Sequence, residues 1–154
     1  MQFAGFSLLG VFVVLFSIAL YRGTKKTMAS AIAVALIALG GAFMISVGFF
    51  PCDAGCENVS FTGRMHSLTA TIPAIAIPAG IMLLSFAMKK DGRWKGKWSK
   101  ITLIAGAAAI ILSPLAMLPA LEPVAGLVQR MGMGVPVAWM VAISTRLYAL
   151  TKSK

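Results

Sequence analysis

The single histidine of this chain, His66, shares one short stretch with Arg64, both cysteines (Cys52 and Cys56) and two of the four acidic residues, Asp53 and Glu57. These side-chain types do chemistry near neutral pH. An imidazole with an acid beside it can take or give a proton, and a guanidinium grips phosphate or carboxylate through paired hydrogen bonds. Farther along, Glu122 and Arg130 bracket a second short polar segment. Brought together, Asp53, Arg64, His66, Glu122 and Arg130 form a candidate ligand-binding set, with His66 the natural acid or base of any enzyme built here. The competing reading makes them interfacial groups that pair with one another and with water.

Cys52 and Cys56 are separated by three residues. A disulfide between them would close a loop of about five residues and stabilise the fold by about 2 kcal/mol in the chain-entropy treatment. Gly55 supplies the backbone freedom so tight a loop needs. The spacing is one residue longer than the Cys-x-x-Cys of thioredoxin-like oxidoreductases. A copper or zinc site using His66 would want further His and Met at spacings this segment lacks. The expectation is a structural disulfide, with no metal site assigned and no particular cofactor indicated. Asn58-Val59-Ser60 also matches the short N-glycosylation sequon.

The elements that must position these groups are membrane spans. The chain is 59% hydrophobic and 12% charged, about half the charge a soluble domain carries. Its apolar residues form five runs, Phe3–Tyr21, Met28–Phe50, Ser67–Met88, Ile101–Leu121 and Met131–Leu150. Each is close to the roughly 20 residues that cross the hydrocarbon layer as a helix. The expected fold is an all-α polytopic membrane bundle of five transmembrane helices, residues 1–154 forming one membrane-embedded domain. Twelve of the fourteen basic residues fall in the Tyr21–Thr27 loop, the Lys89–Lys100 loop and the C-terminal end. The positive-inside rule makes that face cytoplasmic, leaving the N-terminus outside, the C-terminus inside and the His66 stretch outside. The first run has no basic residue before it and no small-residue cleavage site after it, so it reads as a retained span rather than a signal peptide.

The net charge of +10 is then topogenic, and its partners are membrane lipids at about 1 kcal/mol per residue near an anionic surface, not nucleic acid. Trp94 and Trp98 in the most basic loop suit a membrane interface. Within the spans, small residues crowd the second (Ala29 to Ala42) and fourth (Ala105 to Ala109) runs, which allows close helix approach. Pro73 and Pro78 interrupt the third run, and Pro114 and Pro119 the fourth. No Asp, Glu, Lys or His lies near the centre of a run, which counts against a proton-coupled pump or an ion channel. Arg130 and Arg146 lie sixteen residues apart, reaching opposite interfaces, and Trp139 midway between them needs an acceptor for its indole N–H.

The string Gly48-Phe-Phe-Pro-Cys-Asp-Ala-Gly-Cys56, then Thr62-Gly-Arg-Met-His66, then Gly126-Leu-Val-Gln-Arg130 with Trp139 downstream, resembles the domain of unknown function 998. This is a group of bacterial and archaeal multi-span membrane proteins, and the resemblance covers nearly the whole chain from about Phe6. Members typically show six spans, so the resemblance implies that the usual first helix is lacking, either because this is a natural short form or because an N-terminal portion lies outside the chain shown. It implies a helical bundle in a cell membrane, most simply the cytoplasmic membrane of a prokaryote, with Asp53, Arg64, His66 and Arg130 a recurring set and no established activity. Three classes stay open: a binder of a lipid or small amphiphile, favoured because the polar residues gather at helix ends on one face; an accessory subunit of a larger complex or a homo-oligomer; and an outer-leaflet enzyme using His66.

Overall fold

The structure is a computed structural model that describes residues 2–115 and 118–152, the side chains of residues 2, 3, 56, 119 and 122 lying outside that description. Among the described residues the chain is helical without strands: α1 (Gln2–Gly23), α2 (Met28–Phe49), a 3-10 turn (Ala54–Cys56), α3 (Phe61–Lys89), α4 (Lys97–Leu115), a 3-10 segment (Pro119–Val124) and α5 (Ala125–Lys152). All five α-helices are long and apolar enough to cross a membrane. Hydrocarbon offers no partner to a peptide group, and only a helix satisfies its backbone within one span.

Local signals set the helix ends. Thr27 caps α2 in a reciprocal box: its hydroxyl accepts from the Ser30 N–H, and the Ser30 hydroxyl accepts from the Thr27 N–H. Helix α3 starts at Phe61, six residues before the apolar run, because Ser60 caps it and draws the polar Thr62–His66 segment into its first turns. At the other extreme α4 ends at Leu115. Pro119 does not interrupt that span; it opens the separate 3-10 segment that also contains Pro123. A proline lacks the N–H a continuing α-helix needs and restricts the residue before it, so this pair favours a tighter turn over a longer helix.

Each helix packs on the next in chain order, and α5 returns to touch α1. Glycines set the approach. A β-carbon at Gly10 would lie 2.6 Å from the Gly41 carbonyl oxygen, one at Gly80 would lie 2.7 Å from the Ala33 carbonyl oxygen, and one at Gly106 would meet Met82. These contacts fix the α1–α2, α2–α3 and α3–α4 interfaces, where dispersion rather than hydrophobic exclusion drives association. The core is closed by Trp139, only 2% exposed. Its indole N–H donates to Thr102 Oγ1 at 3.0 Å, and Phe16 meets its ring edge-on at 5.5 Å between centroids. The Thr102 hydroxyl in turn reaches Met88 Sδ at 3.4 Å, so a single polar chain ties α3, α4 and α5 together.

Candidate functional site

At the sparsely charged end of the bundle, the loop from Phe50 to Ser60 folds back onto the head of α3. Gly55 (φ 66°) and Asn58 (φ 56°) take left-handed conformations that turn it, the two residue types that do so at least cost. Asp53 then reaches Ser60. Its Oδ1 accepts from the Ser60 hydroxyl at 2.6 Å and its Oδ2 from the Ser60 N–H at 2.8 Å. The Ser60 hydroxyl oxygen accepts from the Gly63 N–H at 3.0 Å, capping the helix. These bonds, the Ser60 hydroxyl foremost, hold the Asp53 carboxyl below its ordinary range. Gly63 is part of the same construction, since a β-carbon there would run into the Asp53 carboxylate.

His66, one turn further along and half-buried, has Nδ1 at 2.7 Å from the Phe50 carbonyl oxygen. A carbonyl only accepts, so the proton of this bond sits on Nδ1, and the neutral ring carries its lone pair on Nε2. A backbone carbonyl, not a neighbouring acid, therefore sets the tautomer; both Asp53 oxygens are engaged by Ser60. Arg64 precedes His66 by two positions, about 200° around the helix, and is exposed. Arg130 is also exposed and donates along its own helix to the Gly126 carbonyl at 3.4 Å. Among the described residues, no hydrogen bond or ion pair joins Arg130 to Asp53, Arg64 or His66. The Glu122 side chain lies outside the described residues, as does that of Cys56 and with it the Cys52–Cys56 pairing.

A family model described as a protein of unknown function, DUF998, matches residues 1–146. The chain belongs to the DUF998 family. Neither a curated protein nor a solved structure matches it. In this DUF998 chain the Phe-Pro-Cys-Asp and Gly-Arg-Met-His strings have a shared structural sense. Asp53 and Gly63 dock the loop on α3, His66 fastens the start of that loop, and the two arginines are left exposed at α3 and α5.

The opposite end of this DUF998 bundle holds a second polar construction, centred on Asp91, the one acid of the most basic loop. Asp91 is buried. It accepts from the Lys25 N–H at 2.9 Å and from Arg93 twice through the guanidinium, at 3.1 and 2.8 Å. Burial by itself pushes the carboxyl up, but the Arg93 and Lys25 hydrogen bonds outweigh it and leave the carboxyl below its ordinary value. The hydrogen bonds to Asp91 and its charge raise Arg93. Trp94, expected at the membrane interface, is instead fully buried, its indole N–H donating to the Gly23 carbonyl at 2.9 Å. Arg146 from α5 donates to the Arg93 carbonyl at 2.8 Å. The loop thus fastens to itself the end of α1, the α1–α2 connection at Lys25 and α5. Its sequence signal is a lone acid two residues before an arginine, in a loop whose other charged residues are all basic.

Proposed function

We propose that this protein binds an amphiphile with an anionic or hydrogen-bonding headgroup at its sparsely charged membrane boundary. The observation that carries this is His66: Nδ1 is committed to the Phe50 carbonyl, which orients the ring and leaves Nε2 for a ligand. Arg64 and Arg130, exposed and without an acidic partner among the described residues, supply the charge that would draw such a headgroup. The tail would lie along exposed apolar side chains of the same helices, Leu68 and Ile75 on the Arg64 side of α3 and Leu127 and Met131 on α5. In this reading the basic end is cytoplasmic by the positive-inside rule, and Cys52 and Cys56 form a disulfide that stiffens the loop fastened by His66.

Native mass spectrometry of the full chain released from mild detergent tests the reading. The wild type should retain a lipid-sized adduct. His66→Asn keeps a donor near the Nδ1 position and loses Nε2, so it should fold normally and lose the adduct. His66→Gln does the reverse and should retain part of it. An adduct unchanged in His66→Asn and in an Arg64→Gln/Arg130→Gln variant would overturn the proposal. Non-reduced peptide mapping of the same material reads the cysteine pair.

A further inference from the structure

At the basic end, two cations gather on one indole. Lys97 Nζ lies 5.4 Å and the Arg146 guanidinium carbon 6.0 Å from the centroid of the Trp98 ring. The acid of this end, Asp91, is taken up by Arg93, the single ion pair among the described residues. Lys97 and Arg146 are therefore left without a compensating anion. Arg146 is further under-satisfied: one terminal nitrogen donates to the Arg93 carbonyl, but its Nε is buried and meets no acceptor among the described residues. A buried guanidinium N–H without an acceptor is costly. The electrostatics agree, because Lys97 and Lys100 stand in the first turn of α4, which has no acidic residue. There they oppose the helix dipole, and the helix end itself favours a negative charge.

We infer that the notch formed by Arg146, Lys97 and Trp98 seats the phosphodiester headgroup of an anionic phospholipid from the leaflet on the basic face. A phosphodiester supplies the missing negative charge, and the guanidinium fork matches its oxygens; the buried Arg146 Nε–H would reach that acceptor only through a shift of the side chain. A lipid rather than a free anion fits the depth. Trp98 is half-buried at the very start of α4, and Tyr21, Phe86 and Tyr148 stand near the same-side ends of α1, α3 and α5. Each of those rings also carries a lysine, Lys26 at 4.5 Å, Lys89 at 5.1 Å and Lys152 at 4.8 Å. All five cation–π contacts among the described residues therefore lie at this one end, where a ring level with the headgroups holds its cation. The Trp98 notch differs from the other three in having two cations and an unmet donor.

The test is thermal unfolding of the full chain in detergent, with dioleoyl-phosphatidylglycerol, dioleoyl-phosphatidylcholine or inorganic phosphate added. The phosphatidylglycerol should raise the Tm clearly, while phosphatidylcholine and phosphate leave it nearly unchanged. Lys97→Gln/Arg146→Gln should lose at least half of that shift, and Lys90→Gln/Lys95→Gln, equal in charge removed and exposed at the same end, should keep most of it. Arg146→Lys retains the charge but lacks the Nε donor and should fall between, which keeps the test decisive if the double variant folds poorly. An equal response to phosphatidylcholine, an equal response to inorganic phosphate, or the same loss in both double variants would overturn the inference.

Discussion

Gly63 lies so close to the carboxylate of Asp53 that no β-carbon fits between them. The approach is imposed by Ser60, which binds both Asp53 oxygens and caps α3 at Gly63. Gly63→Ala must push the carboxylate off Ser60 or shift the helix start, at a cost of about 1–3 kcal/mol for an overpacked contact. Asp53→Ala alone should cost about 1 kcal/mol through its lost hydrogen bonds. Because the clash needs the carboxylate, the double variant should be more stable than the two single losses sum to. Detergent unfolding of the three variants measures this, and strict additivity would show that Gly63 and Asp53 do not press on each other.

Trp139 and Thr102 form the second coupled pair, a buried indole N–H donating to a buried hydroxyl. Thr102→Val keeps the volume and removes the acceptor, leaving the donor unsatisfied at about 1–3 kcal/mol. Trp139→Phe removes the donor and also leaves a void beside Phe16, so it should cost at least as much. The double variant should recover about 1 kcal/mol relative to the sum, since no orphaned N–H remains. A zero coupling energy in the unfolding cycle would mean the bond contributes nothing.

Five helices were legible in the apolar runs because burial in lipid leaves a long, unmistakable composition. Their ends were not, because an end depends on a cap. Ser60 begins α3 six residues early, and Pro119 belongs to a 3-10 segment rather than to α4. Trp139 needed an acceptor on sequence grounds and has one in Thr102. Trp94 misled, since a tryptophan among cations reads as interfacial until its N–H is seen to meet the Gly23 carbonyl across 71 residues. The His66 stretch was legible as a polar concentration, but its internal order was not. Which of Asp53, Ser60, Phe50 and His66 bond to one another depends on how the loop folds back, and no spacing encodes that. Nothing in the sequence around Asp91, the single acid of the Lys89–Lys100 loop, marks the burial that makes it the hub of the basic end.

Gly80 tests the packing of the most buried helix. A β-carbon there meets the Ala33 carbonyl oxygen at 2.7 Å and Ile37 at the same distance. Backbone cannot swing aside as a side-chain tip does, so Gly80→Ala must separate α2 from α3. We expect a loss of about 1–3 kcal/mol, whereas alanine at Gly134, with nothing within 4 Å, should be neutral or slightly stabilising by helix propensity. Equal effects at the two positions would refute close approach as the role of Gly80.

Asp91 makes stability depend on acid in a definite direction. Its folded carboxyl is held below the ordinary value of 3.8 by Arg93 and Lys25, against the opposing effect of burial. A depressed folded value means the unfolded chain binds the proton more readily, so the stabilisation is complete above the unfolded value and is lost as pH falls through the folded one. Asp91→Asn cannot ionise and loses the charge-assisted bonds to Arg93, so at neutral pH it should be less stable than the wild type by about 2 kcal/mol. That difference should hold at pH values well above the ordinary carboxylate value and shrink as the pH falls below it and the wild-type carboxylate protonates. Asp53 is depressed in the same direction by Ser60, so the wild-type slope contains both groups. An Asp53→Asn background isolates the Asp91 share. Unfolding curves across this range, compared within that background, are the measurement. A difference that stays constant into acid would mean that the Asp91 carboxylate is not the charge holding Arg93 and the Lys25 backbone in place.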